Sequence, residues 1–327
     1  MAAVGRTAVA ALAQRFAGMT TSASTAVLSS SSGSGASGTR ALPGPTLNDR
    51  VPSPSAALVR DYVRSVGGDG AAYRSKLPPH LFPQWAFPVL ARTLDDLPFP
   101  LLRVVNGGCR LTMNASLPVG EPLQVQASLV EIEDKGRKAV LHQRVVTGTA
   151  SVPDALTADI FALVPTDLPG TNGGVSNGHG VSNGHVRTNG HSGSNGAHKD
   201  KQEAVVPRDV RELAYWRLAP DAGLSYALLT GDINPVHWLR PYAQAFGFRS
   251  TILHGFATLA RTMEGLHRGL FSGAVDRLAS IDVRFTRPLV LPARVGLYLG
   301  AGNTIFVGDA PGGFAYMTGS FSERTPT

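Results

Sequence analysis

The sequence contains one cysteine in 327 residues, Cys109, so no disulfide can form within the chain. It has no apolar run approaching the roughly 18–20 residues needed to cross a bilayer. Zinc-ligand spacings and aromatic RNA-binding motifs are absent too, and a net charge of +7 over this length is too weak to indicate nucleic-acid binding. These absences predict a chain without a membrane span, without a nucleic-acid partner and with no need for an oxidising compartment.

Acidic residues are missing from the first 40 positions, which are rich in Ala, Ser and Thr and carry Arg6 and Arg15. Such a composition is typical of an organellar transit peptide. We therefore expect residues 1–50 to be a disordered or targeting segment, with a mitochondrial destination. If the segment carries no address, the alternative is a cytoplasmic protein with a disordered tail.

A second low-complexity region covers residues 169–206, where the sequence GVSNGH occurs twice in succession at 174–185. Its histidines are six to seven residues apart among glycines, a spacing that offers no preformed metal site. The composition predicts a Gly/Asn/His-rich flexible linker. It divides the chain into an N-terminal part, 51–168, and a C-terminal part, 207–327.

Both parts show helical periodicity followed by the two-residue alternation of strands. Helices are predicted at 55–66, 80–94 and 255–268, and strands at 123–129, 139–146, 158–164, 281–285, 295–299, 304–307 and 315–321. Helices followed by antiparallel strands, without βαβ alternation, predict the α+β class.

The two parts also resemble each other. The segment FxxLART occurs at Phe87 and again at Phe256, an offset of 169, and the proline pair Pro118/Pro122 recurs as Pro288/Pro292, an offset of 170. Two matches in the same order at nearly the same offset indicate two copies of one unit.

Candidate chemistry lies in the C-terminal copy, in the stretch from Thr230 through Asp232 and Asn234 to His237, followed by His254-Gly255. A carboxylate and an imidazole suit proton transfer, and the Asn-Pro pair between them favours a turn that would bring them together. Without that context, the ordinary interpretation of such a pair is a capping aspartate and a core or surface histidine.

The sequence TGDINPVH, followed by LHGF at the start of a helix, resembles the signature of the MaoC-like (R)-specific enoyl-thioester hydratases and dehydratases. The resemblance implies two hot-dog repeats, in which a curved antiparallel sheet wraps one long helix, forming a double hot dog. It implies a hydro-lyase of fatty-acid metabolism that interconverts 2-enoyl and (R)-3-hydroxyacyl thioesters, without metal or redox cofactor.

The same resemblance assigns roles to residues. Asp232 and His237 would form the catalytic dyad, and the Gly255 N–H would polarise the thioester carbonyl. The expected substrate-binding residues are Thr230, Asn234, His254, Arg284 and Arg287, with Arg294 nearby. The arginines are candidates for contacts to the phosphates of coenzyme A or an acyl carrier protein, which a modestly basic chain would suit.

The N-terminal copy lacks the dyad, because Val63 and Gly68 stand where the repeat alignment would put Asp232 and His237. We expect this half to pair with the other sheet and shape the acyl pocket. Trp85, which matches His254, would either limit the depth of that pocket or simply pack in the core.

Two other functions remain open. A hot-dog acyl thioesterase would hydrolyse the same substrates, although such enzymes place a carboxylate on or near the central helix and lack this motif. A non-catalytic acyl-binding subunit is the other alternative. The acyl chain length and the choice between coenzyme A and carrier protein are not determined, and a homodimer is one assembly that the resemblance allows.

Overall fold

The computed structural model describes residues 42–95, 97, 99, 104–136, 138–166 and 203–324. The first 41 residues of the predicted disordered or targeting segment, 1–50, and most of the predicted linker, 169–202, therefore lie outside the described residues. Among those residues, no helix combines the length and the apolar composition of a membrane span.

Ten strands and five α-helices form the described chain. The first half contains β1 (Leu47–Val51), α1 (Ala56–Ser65), α2 (Pro83–Arg92), β2 (Val105–Met113), β3 (Leu123–Asp134), β4 (Lys138–Gly148) and β5 (Leu156–Pro165). The second contains β6 (Arg211–Leu218), α3 (Ala222–Thr230), α4 (Arg240–Ala245), α5 (Gly255–Gly269), β7 (Leu278–Phe285), β8 (Ala293–Leu299), β9 (Thr304–Gly308) and β10 (Ala315–Glu323). Short 3₁₀ turns include Pro79–Leu81 and Pro235–His237.

All ten strands belong to one antiparallel sheet with the order β1-β3-β4-β5-β2-β7-β10-β9-β8-β6. When the strands are numbered within each half, the order is 1-3-4-5-2 in the first half and 2-5-4-3-1 in the second. The second half therefore repeats the strand order of the first in reverse along the sheet. The halves meet where β2 pairs with β7, for example at Cys109 opposite Val283. The prediction of the α+β class is confirmed.

The core lies between this sheet and the helices. In the first half α2 packs against β3 and β1, and in the second α5 packs against β6 and β7. The predicted apolar face of α5 (Phe256, Leu259, Met263 and Leu266) is buried. One hydrophobic cluster runs through both halves, so burial of apolar surface stabilises them as a unit.

Two predicted boundaries were wrong. Residues 47–50 fall within the predicted disordered or targeting segment, 1–50, but they form most of β1, in which Leu47 pairs with Ala127 on β3. The polar sequence of β1 lacks the alternation of apolar residues that predicts a strand. Hydrogen bonds to β3 hold it at the edge of the sheet. The predicted linker also ended too late, because Val205 bridges Phe314 and Val206 is fully buried beside Tyr298 and Ala315.

Several elements were not predicted. The sequence patterns predict none of β2, β6 and α4, and the helix predicted over 80–94 is a 3₁₀ turn followed by α2 with Pro88 inside it. The helix α3 was missed because its sequence AGLSYALLT is apolar on nearly every side, which leaves no helical period to detect.

Trp85 lies on α2 with only 1% of its surface exposed, and its Nε1–H donates a 3.1 Å hydrogen bond to Oγ1 of the buried Thr147. It does not line the pocket that Val66, Tyr226 and Leu253 form between the two halves. Trp85 is a core residue, and the structure gives no support to its role as a limit on acyl-chain depth.

This placement predicts that Trp85→Phe lowers the free energy of unfolding by about 1–3 kcal/mol, because the Thr147 hydroxyl loses its partner while most of the ring volume is kept. Urea denaturation measures the change. Thr147→Val, which removes the other side of the same bond, should make the second substitution nearly neutral in the double variant. A Trp85→Phe protein as stable as the parent would contradict this assignment.

Candidate active site

The end of α3 places Asp232. Gly231 terminates the helix with a φ of 78°, a left-handed conformation that favours glycine. The Thr230 hydroxyl donates to the Tyr226 carbonyl at 2.9 Å and accepts a long, 3.4 Å bond from the Asp232 backbone N–H. Thr230 is buried and engaged within its own helix end, where it helps to position the Asp232 backbone.

The Asn234-Pro235 turn returns the chain so that His237 faces Asp232. The Asn234 side-chain oxygen accepts from the Val236 N–H at 3.2 Å and caps the 3₁₀ turn Pro235–His237. Burial raises the pKa of Asp232, and the hydrogen bond from the Asn234 backbone N–H partly opposes that rise. The structure thus confirms the predicted turn and gives Asn234 a positioning role.

Hydrogen bonds to backbone carbonyls fix the tautomers of both histidines. Nδ1 of His237 lies 2.9 Å from the Ile252 carbonyl and Nε2 of His254 lies 3.0 Å from the Asp232 carbonyl. A carbonyl can only accept, so each of these nitrogens carries a proton. In the neutral rings, Nε2 of His237 and Nδ1 of His254 are therefore left as acceptors.

The three side chains form one compact group. Ligand atoms of Asp232, His237 and His254 all lie within 4.8 Å of one another. The two imidazoles stack with their centroids 3.6 Å apart and their planes 25° from parallel. His254 is almost fully buried beneath His237, whereas Asp232 and His237 are partly exposed.

Burial controls the protonation of this group. It lowers the pKa of His237 to about 3, with the neighbouring His254 adding to the effect, and it lowers the pKa of His254 to about 3. Burial raises the pKa of Asp232, against the opposing effects of His237 and the Asn234 N–H. Both imidazoles are therefore neutral at pH 7, and the carboxylate is a stronger base than in water.

Gly255 begins α5 directly beside this group. The first N–H groups of a helix have no intrahelical acceptor and point along the axis at the positive end of its dipole. The His254 side chain does not cap them. A Cβ at position 255 would lie only 2.8 Å from the Phe285 ring, so glycine is required by close packing.

The group also has the composition of a metal site, and its two free imidazole nitrogens and carboxylate are the ligands that zinc prefers. Its geometry argues against one. The lone pairs of an imidazole lie in the ring plane, and the planes of His237 and His254 are nearly parallel. Their lone pairs therefore run side by side and do not converge on a single point about 2 Å from each nitrogen.

The predicted arginines are not brought to the group. Arg284 is exposed and alternates along β7 with Val283 and Phe285, so it faces away from the helices. Arg287 pairs with Glu203 and lies 3.9 Å from the Phe314 ring centroid. Their expected phosphate contacts are thus unsupported, because alternation turns Arg284 outward and a carboxylate engages Arg287. Arg294 is exposed on β8.

Tyr226 is a site residue that the sequence did not single out. Its ring lies 4.8 Å from that of His254, and it borders a pocket between the two halves. Tyr226 lies six residues before Asp232 in the sequence. The sequence does not predict the helix α3, so it could not indicate that Tyr226 lies on the buried side of that helix.

Residues 194–304 match the MaoC-like domain family. The chain is 23% identical over 210 residues to a probable enoyl-CoA hydratase 2 of Dictyostelium discoideum, covering 63% of this chain and 64% of that protein. It is 37% identical over 90 residues to 3-hydroxyacyl-thioester dehydratase X of Mycobacterium tuberculosis, covering 28% and 30%. The matches thus span less than two thirds of either relative.

Solved structures share the fold at low identity. The crystal structure of HtdX from Mycobacterium tuberculosis has a TM-score of 0.63 at 19% identity, covering 86% of this chain and all of that one. A MaoC-like dehydratase from Phytophthora capsici has a TM-score of 0.58 at 16% identity, covering 87% and 97%. At these identities the likeness concerns the fold, and it confirms the predicted hot-dog architecture.

Proposed function

We propose that this chain, whose residues 194–304 match the MaoC-like domain family, is a hydro-lyase that interconverts 2-enoyl and (R)-3-hydroxyacyl thioesters. The observation that carries the proposal is the placement of Asp232 and His237 together at the N-terminus of α5. A base, a hydrogen-bond acceptor for water and an unpaired N–H then surround one small space. These are the groups that hydration of an activated double bond requires.

In the hydration direction, a water molecule donates one hydrogen bond to Nε2 of His237 and the other to the Asp232 carboxylate. Asp232 takes the proton as the water oxygen bonds to C3. The electron pair of the double bond moves toward the carbonyl, and the Gly255 N–H stabilises the oxygen as it gains negative charge. Asp232 then returns the proton to C2, so that one water is added and both side chains are restored.

The pKa shifts favour this division of labour. A histidine with a pKa near 3 is a poor proton acceptor at pH 7 but a good hydrogen-bond acceptor. A carboxylate whose pKa is raised by burial accepts a proton more readily than one in water. His237 therefore orients the water, and Asp232 carries the proton.

The direct test mixes purified protein with crotonyl-CoA and measures two signals, the loss of the enoyl absorbance and the release of free thiol. Loss of absorbance without thiol release is the expected result, and it should persist after treatment with a chelator. Thiol release would instead identify the thioesterase alternative. That alternative needs a working carboxylate on the central helix, and Glu264 on α5 is buried and bonded to Tyr73 and His80.

The role of Gly255 gives a separate prediction. Gly255→Ala should lower kcat/KM on an enoyl thioester by about tenfold or more, because the new methyl displaces the start of α5 or the Phe285 ring. Phe285→Leu, which makes room for that methyl, should restore part of the loss in the double variant. An alanine variant with parental kcat/KM would remove Gly255 from the mechanism.

The carrier is open between coenzyme A and acyl carrier protein, as is the acyl chain length. A series of enoyl thioesters on both carriers, compared by kcat/KM, decides both questions.

A further inference from the structure

A pocket of about 250 Å³ lies beside the proposed catalytic group. Leu253 and Ala257, which flank His254-Gly255, form part of its wall, and so does Tyr226, whose ring packs against His254. Ser65 and Val66 from the first half also line it. The pocket therefore adjoins the position where the thioester carbonyl would lie.

Two buried polar atoms of this pocket lack a hydrogen-bond partner of ordinary geometry among the described residues. One is the Tyr226 hydroxyl, on a residue only 2% exposed, whose polar neighbour Tyr62 already donates to the His80 carbonyl. Nε of Arg261 is buried and also without an acceptor in the described chain. Buried polar groups are nearly always hydrogen-bonded, so an unpaired donor beside a cavity indicates a ligand that supplies the acceptor.

The charge of the pocket favours an anion. Arg261 donates to the Ser65 carbonyl at 2.7 Å, but no described carboxylate pairs with it, and burial lowers its pKa. Arg217 and Asp221 lie exposed at the rim, where their opposite charges offset each other. The guanidinium is therefore an uncompensated positive charge, and a guanidinium fork binds an oxyanion with two hydrogen bonds.

Ala257 and Arg261 are one helical turn apart on the same side of α5, so the wall leads from the helix N-terminus to the guanidinium. We propose that Arg261 and the Tyr226 hydroxyl form a binding subsite for an oxyanion carried by the thioester substrate. The inference rests on the proposed function. A carboxylate at the end of the acyl tail and a phosphate of coenzyme A are the two sources of that chemistry.

The test measures binding of saturated thioesters, which the proposed reaction cannot consume. Hexanoyl-CoA and adipoyl-CoA differ only by a terminal carboxylate, and their N-acetylcysteamine counterparts lack every phosphate. Titration calorimetry with the full chain gives Kd for the four ligands with the parent protein, Arg261→Met and Tyr226→Phe. Arg268→Met is the matched control, because Arg268 makes an equivalent 2.7 Å bond to the Gly67 carbonyl but does not line the pocket.

If the tail supplies the anion, adipoyl thioesters should bind about tenfold more tightly than hexanoyl thioesters on either carrier, and Arg261→Met should abolish the difference. If the coenzyme supplies it, Arg261→Met should weaken both CoA thioesters and neither counterpart. Tyr226→Phe should reduce the same preference, and Arg268→Met should preserve it.

Unchanged ratios in folded Arg261→Met protein would overturn the subsite. So would an equal loss in Arg268→Met, because the effect would then reflect the tie between the halves. The hydration assay keeps the two proposals apart. Turnover of crotonyl-CoA with unchanged binding ratios refutes only the subsite, whereas binding selectivity without turnover refutes only the hydro-lyase.

Discussion

Asp232→Asn and His237→Ala should each lower kcat for enoyl-thioester hydration by at least about 100-fold. Asparagine keeps the shape of the side chain but cannot take the proton from water, and alanine removes the acceptor that orients the water. Both side chains are partly exposed, so the melting temperature should change little. The double variant should be hardly slower than either single one, because the two groups act on the same water.

A pH profile separates this arrangement from one in which histidine is the base. With both histidines neutral down to low pH, kcat should fall only as Asp232 is protonated, at a pH above its ordinary pKa. The residual activity of Asp232→Asn should lack that acid limb, and a limb that persists there would contradict the assignment. Retention of most activity by either single variant would refute the dyad.

Glu264→Gln should lower the free energy of unfolding by about 2–4 kcal/mol at pH 7. The Glu264 carboxylate is 3% exposed and accepts two bonds from the first half, from the Tyr73 hydroxyl at 2.6 Å and from Nε2 of His80 at 2.9 Å. A neutral amide accepts more weakly and brings two hydrogens that need acceptors. Urea denaturation gives the change, and Glu131→Gln on the exposed face of β3 is the control expected to shift stability by less than about 0.5 kcal/mol.

The stabilisation that Glu264 provides should depend on pH. Although burial opposes ionisation, the surrounding hydrogen bonds and histidines lower the pKa of Glu264 below the ordinary glutamate value of 4.5. A depressed folded-state pKa stabilises the protein above pH 4.5, and that stabilisation is lost as the pH falls toward the folded value. The difference between parent and Glu264→Gln should therefore shrink below pH 4.5. A difference that stays constant with pH would mean that the carboxylate charge is not involved.

The sequence predicts those helices and strands in which apolar residues recur at a regular spacing along the element itself. Apolar residues recur every three to four positions in α5 and every second position around Ile281, Val295 and Phe321, although burial in α5 and β8 extends beyond a single face. The approach of Asp232 to His237 could likewise be anticipated, since it depends on a local Asn-Pro turn.

What could not be anticipated depends on contacts between distant residues. Glu264 meets His80 and Tyr73 across separations of 184 and 191 residues, and no local pattern records such a pairing. The same is true of Arg261 and Ser65, which are 196 residues apart. β1 could not be predicted for a related reason. A short edge strand is specified by the strand it pairs with more than by its own side chains.

The mirrored strand order has a consequence for how such a molecule can vary. In a dimer of two identical chains, every substitution appears at both related positions. Here the β2–β7 junction joins two halves of one chain, so the halves cannot dissociate on dilution. A substitution in one half also leaves the sequence of the other half unchanged. Position 68, which the repeat aligns with His237, shows the result: a side chain there would lie 2.4 Å from the Glu264 carboxyl carbon. A second dyad in the first half would therefore displace the carboxylate that ties the halves together.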